Sequence, residues 1–136
     1  MSVRIIIYAY RKPGTSPEHF KTSYEAHISL VKRIAGDDFP LSHQRHYLAR
    51  TVDTSAEGVS VRNTTTPATL IAGDQSDFDF DAYAELTFAD QPALQAFVAK
   101  VRAPEAAEEI AADEEGFLDR SKLGIAFLDD VVETRK

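Results

Sequence analysis

Cysteine is absent from this chain of 136 residues, which excludes disulfides, thiolate metal sites and cysteine nucleophiles. Glycine is sparse, and Gly14, Gly36 and Gly58 each stand alone, so no glycine-rich phosphate loop occurs. Neither a GxSxG elbow nor an HExxH pair is present. Positive charge is short as well. Fifteen Lys and Arg against 22 Asp and Glu give a formal net charge of -7, which argues against a nucleic-acid partner because phosphate binding needs a basic surface. Long apolar runs are missing too. The opening MSVRIIIYAYRK is too short to span a bilayer and carries no cleavage pattern, so the expectation is a soluble, cytoplasmic protein with no membrane partner. Asn63-Thr64-Thr65 matches a glycosylation acceptor, which without a secretion signal is expected to be idle. A chain of this length fits one domain, residues 1–136, with a core that needs no staples.

What is present is a clear alternation of strand and helix patterns. Residues 3–10, VRIIIYAY, are β-branched and aromatic with both faces apolar, as a covered strand requires. Ser16-Pro17 reads as a helix cap followed by proline at the first helical position, and the helix is expected to run from 17 to 35 and stop at Gly36. A second strand is expected over 40–50, with His43 and Tyr47 on one face and His46 on the other. Polar groups on both faces of a strand point to a wet or functional cavity. Residues 51–79, rich in Thr, Ser, Gly and Asp, form a connection long enough to be functional or mobile.

Residues 80–88 alternate cleanly as a third strand. Asp90 caps a helix whose stripe is Leu94, Phe97, Val98 and Val101, Pro104 opens a shorter helical segment through Glu115, and 121–132 close the chain as a last strand. The acidic end at Asp113, Glu114 and Glu115 opposes the helix dipole; it is expected to fray and to solvate the surface. The order is βαββαβ, an α+β, ferredoxin-like plan with both helices on one face of an antiparallel sheet. The other face would carry Ile6, Tyr8, Tyr10 and Tyr83, which predicts a homodimer burying it against a second copy.

One helical stripe stands out: Phe20, Tyr24, His27, Val31 and Ile34 share a side of the first helix. A histidine among core-facing residues is either hydrogen-bonded in a dry interior or set in a cavity where it exchanges protons, and the spacing alone leaves both open. His19, in the first helical turn, reads as surface.

The turn Arg11-Lys12-Pro13-Gly14-Thr15-Ser16-Pro17-Glu18-His19-Phe20 and the segment Tyr24-Glu25-Ala26-His27-Ile28-Ser29-Leu30-Val31 resemble the EthD-like family of dimeric α+β barrels. Phe39-Pro40-Leu41-Ser42-His43 and Phe117-Leu118-Asp119-Arg120-Ser121-Lys122 are similar to a fungal subgroup that tailors aromatic polyketides. That subgroup comprises cofactor-free lyases, either decarboxylases of anthrone-type acids or dehydratases of naphthopyrone precursors. The broader family usually carries Trp where Tyr24 stands and Pro where Ile28 and Ser29 stand, so a phenol here replaces an indole.

The resemblance implies His27 as general acid or base, assisted by His43 and Tyr24, acting on a small aromatic polyketide with no cofactor and no metal. By residue type, Tyr8, His46, Tyr47, Tyr83, Phe88 and Phe127 are expected to line a flat substrate pocket, and Asp119, Arg120 and Lys122 to form either a solvated turn or a cation site for a substrate carboxylate. A cofactor-independent anthrone or quinol monooxygenase and a non-catalytic ligand-binding module are the alternatives on the same scaffold.

Overall fold

The structure, a computed structural model, describes residues 2–136. Its strands are β1 (Val3–Ala9), β2 (Ser42–Tyr47), β3 (Ala82–Phe88) and β4 (Gly124–Leu128), and its helices α1 (Pro17–Ala35), α2 (Gln91–Arg102) and α3 (Pro104–Glu114). The sheet order is β2-β3-β1-β4 with every neighbouring pair antiparallel. This is the ferredoxin-like α+β plan, with a third helix where the sequence suggested a short helical segment.

Local chemistry explains the boundaries. The Ser16 hydroxyl accepts from the His19 amide at 3.0 Å and Pro17 fills the first turn of α1, where its missing N–H costs nothing. The helix ends at Gly36, whose φ of 55° disfavours a side chain and whose N–H returns to the Lys32 carbonyl. Asp90 caps α2 by accepting from the Ala93 amide at 2.9 Å. The last strand is shorter than 121–132: Arg120–Lys122 form a 3-10 turn fastened by Asp119, and Val131 lies beyond the strand, 53% exposed.

Strand register decides which side chains meet. One row facing the helices runs His43, Leu86, Ile5, Phe127, and the next runs Arg45, Ala84, Ile7, Ile125. The opposite face carries a row of His46, Tyr83, Tyr8 and Gly124. Period-two alternation thus sends His43 and His46 to different faces. On the helix side, Ala9 and Ala82 leave room for Phe20, Tyr24, Phe117 and Leu118, which make one core cluster. A second cluster joins Ile5, Ala84, Leu86 and Phe88 to Leu94 of α2.

The long connection 51–79 is neither regular nor loose. It holds two 3-10 turns, Val61–Asn63 and Gln75–Phe78, and is bolted to the sheet by a buried ionic cluster. Arg11, 1% exposed, pairs with Asp81 and donates to the Arg62 carbonyl at 2.6 Å, Asn63 Oδ1 at 3.0 Å and Thr66 Oγ1 at 3.0 Å. Arg50 pairs with Asp81 at 3.0 Å, and Arg62 bridges Asp79 at 3.3 Å and Asp119 at 3.1 Å. Burial pulls the Arg11 guanidinium below its ordinary value, against the opposing pull of Asp81. Asn63 is itself buried, its amide donating to Asp79 at 2.7 Å, so the glycosylation-like tripeptide has no free acceptor.

Candidate functional site

The helix-facing rows of the sheet and the inner faces of the three helices do not close completely. Between them lies a cleft of 470 Å³, lined mainly by aliphatic and aromatic side chains and by Tyr24, His27, His43, Arg102 and Glu114. That volume suits a small organic molecule. The cleft opens past β4, where Leu123, Ile125 and Phe127 are 40%, 58% and 64% exposed.

His27 reaches this cleft from the middle of α1 because the 20-24-27 spacing keeps it beside Phe20 and Tyr24. Its ring is 5% exposed and leans on Phe117, centroids 5.3 Å apart. Nδ1 lies 2.6 Å from Asp113 Oδ2, and Nε2 lies 3.6 Å from Glu114 Oε2. A carboxylate on Nδ1 fixes the tautomer and leaves Nε2 as the working atom. Glu114 is held in turn by Arg120, Nε to Oε1 at 3.2 Å. The acidic end of α3, unfavourable for its own helix, therefore brackets the imidazole instead of merely solvating the surface. Such a local violation of a helix rule is common at functional sites.

His43 enters from β2. Its Nε2 is buried with no hydrogen-bond partner, and its ring lies 6.3 Å from both Tyr24 and Phe39. Burial, and secondarily the charge of Arg45, pushes its pKa down to about 4, so at neutral pH it is an uncharged imidazole. Burial also pushes the Tyr24 phenol up to about 12, which keeps it protonated. The wall thus presents a carboxylate-oriented imidazole, a neutral imidazole and a neutral phenol against apolar surroundings. Proton transfer to or from a bound molecule is the chemistry such a set performs.

The EthD domain matches residues 12–121. The chain belongs to the EthD family. Among solved structures it is similar to At3g17210 from Arabidopsis thaliana, at 17% identity and a TM-score of 0.54, covering 98% of this chain and 99% of that one. It is also similar to an EthD family protein from Bacillus halodurans, at 15% identity and a TM-score of 0.48, covering 96% and 100%. A dimeric ferredoxin-like protein of unknown function from Thermobifida fusca matches at 12% identity and a TM-score of 0.48, covering 94% and 90%. At these identities the likeness to the Arabidopsis structure is one of fold. No curated protein matches the chain.

On this EthD scaffold, Tyr24, His27, His43 and Phe127 line one cleft. Five residues expected beside them do not. Tyr8, 42% exposed, stacks on Phe80 at 4.8 Å, and His46 stacks on Tyr83 at 4.5 Å, all on the opposite sheet face. The correction follows from register, which puts even-numbered β1 and β2 positions and odd-numbered β3 positions away from the helices. Tyr47 faces the helices, but its hydroxyl donates to Glu25 at 2.5 Å and its ring borders a separate groove with Arg50 and Thr66. Phe88 is 1% exposed in the core cluster with Leu94.

The charged patch at 119–122 is also committed elsewhere. Asp119 pairs with Arg62, Arg120 with Glu114 and Glu115, and Lys122 with Asp79. Sequence reading missed Asp113, Glu114 and Arg102. For the first two a signal existed, because two acids in the last turn of a helix oppose its dipole and call for a compensating partner.

Proposed function

We propose that the chain is a lyase acting on an aromatic polyketide intermediate in the histidine cleft. It would decarboxylate a polycyclic aromatic carboxylic acid or dehydrate a naphthopyrone-type hemiketal, in the cytoplasm and as a homodimer. The observation that carries this reading is His27 on the wall of a largely apolar cleft, with its Nδ1 2.6 Å from Asp113 Oδ2. Membership of the EthD family supports the scaffold, and the resemblance to the fungal lyase subgroup supports the choice of substrate class.

In decarboxylation the bond between ring carbon and carboxylate breaks, and its electron pair passes into the ring and an adjacent carbonyl. Protonated His27 delivers its Nε2 proton to the ring carbon, carbon dioxide leaves, and solvent restores the proton. Apolar walls favour the dispersed charge of the transition state over the localised carboxylate. In dehydration neutral His27 removes the proton beside the carbonyl, the C–O bond breaks, and the Tyr24 phenol supplies the proton with which hydroxide departs as water. The proton taken up by His27 then returns to Tyr24 through solvent. Asp113 keeps Nδ1–H engaged in both routes and leaves Nε2, 3.6 Å from Glu114, as the atom that exchanges the proton. His43, uncharged, hydrogen-bonds a substrate oxygen and carries no net proton.

The test is mass spectrometry of hydroxylated anthrone carboxylic acids and naphthopyrone hemiketals incubated with the protein under argon and under air. Loss of carbon dioxide or of water under argon supports the proposal and selects the reaction. Oxygen incorporation that occurs only in air, or binding without any mass change, contradicts it.

A further inference from the structure

The ionic accounting of the cleft leaves one charge over. Glu114 is matched by Arg120 at 3.2 Å. Arg102, at the C-terminal end of α2, is exposed at the cleft margin and has no ion-pair or hydrogen-bond partner among the described residues. The neighbouring Lys100 is spent on Asp38 at 3.0 Å and on the Ala35 carbonyl at 3.1 Å. A second group in the same cleft is also unmatched: the buried Nε2 of His43. A buried polar atom without a partner is costly unless something supplies the bond.

These two groups differ in kind and in depth. His43 sits on the inner wall, on the row with Leu86 and Ile5, and asks for a neutral hydrogen-bonding oxygen. Arg102 sits at the mouth, where a guanidinium pairs with a carboxylate or phenolate in a planar, two-pronged fashion. Between them the walls are apolar, with Ile7, Val98 and Phe127 among them.

We infer that the cleft selects a flat aromatic ligand with a hydroxyl or carbonyl at its inner end, met by His43 Nε2, and an anionic group at its outer end, met by Arg102. This deepens the lyase reading by specifying the substrate's polarity, and it rests on that reading for the identity of the site. Arg102 is then a specificity-determining residue and takes no part in proton transfer. It also follows that, in a decarboxylation, the carboxylate held by Arg102 is not the one lost, because pairing with a guanidinium stabilises the ground-state anion.

Fluorescence titration of the full chain with three naphthalene probes tests the inference without requiring turnover. The probes are 6-hydroxy-2-naphthoate, its amide 6-hydroxy-2-naphthamide, and 2-naphthoate. The hydroxynaphthoate is expected to bind tightest. Loss of the charge, in the amide, is expected to weaken binding roughly five-fold in the wild type, in line with an exposed ion pair. That gap should close in Arg102→Gln and at high salt. Loss of the hydroxyl, in 2-naphthoate, is expected to weaken binding by roughly five- to ten-fold, and that gap should close in His43→Phe. Should His43→Phe fold poorly, His43→Leu provides the same comparison.

Equal affinity for naphthoate and amide in the wild type, an equal loss of both in Arg102→Gln, or no binding of any probe would overturn the inference. Failure of the lyase reading is visible separately: this binding pattern would persist while no substrate of the mass-spectrometric panel changed mass.

Discussion

His43 shows at single-residue scale how the site trades stability for polarity. An imidazole near 6.5 in the unfolded chain is pushed down to about 4 in the fold, by burial first and by Arg45 second, with Glu25 opposing and His27 adding to the effect. Between those values the unfolded chain binds a proton that the folded one does not, so stability is full above about pH 6.5 and declines as pH falls towards 4. The loss is on the order of 3 kcal/mol. Urea midpoints measured from pH 7 to pH 4 should therefore fall less steeply for His43→Gln than for the wild type. Parallel slopes would mean that the ring is not held neutral by the fold. The carboxylates of Glu25, Asp79 and Asp119 are lowered by hydrogen bonds and cations, against burial that opposes the shift most strongly at Asp79, and their contribution is lost from the acid end of this window downward, which is why the comparison with His43→Gln is needed.

At the scale of elements, the connection 51–79 owes its order to one buried acid. Asp81 holds both Arg11 and Arg50, and all three side chains are at most 4% exposed. Removing it leaves two guanidinium groups in the interior with their charge uncompensated. Asp81→Ala is expected to cost about 3–5 kcal/mol, measurable as a lowered denaturation midpoint together with faster proteolysis between residues 51 and 79. A cost near zero would show that the cluster is solvated. No residue of 51–79 lines the histidine cleft, so the connection is a strap across the other end of the sheet.

The elements also show what was legible in the sequence. Helix α1 was readable to the residue, because Ser16, Pro17 and Gly36 punctuate it and the stripe at 20, 24 and 27 has one period. Strand β3 was readable because Ala82, Ala84, Leu86 and Phe88 alternate strictly with half-buried neighbours. Two kinds of fact were not. The ion cluster joins residues up to 70 apart, and nothing in local periodicity encodes such a pairing. Asp113, 86 residues from His27, reads by itself as one more solvated acid. The aromatic residues failed for another reason: composition suggested a pocket, whereas register placed Tyr8 and Tyr83 on the far face.

At the scale of the whole molecule, that far face carries the expectation of a dimer. Ile6, Tyr10 and Tyr83 are only half-buried and Tyr8 is 42% exposed, forming an apolar and aromatic surface suited to a second copy. Light scattering is expected to give about twice the 15.1 kDa of one chain, and Tyr83→Glu with Ile6→Glu should shift it to the monomer. A wild-type mass of one chain would remove the homodimer from the account. The lyase reading itself rests on His27. The most direct measurement compares wild type and His27→Gln on whichever compound the wild type converts under argon, with binding measured on the same samples. Affinity is expected to change only a few-fold while turnover falls by about 10²–10⁴-fold. Full turnover by His27→Gln would contradict that reading.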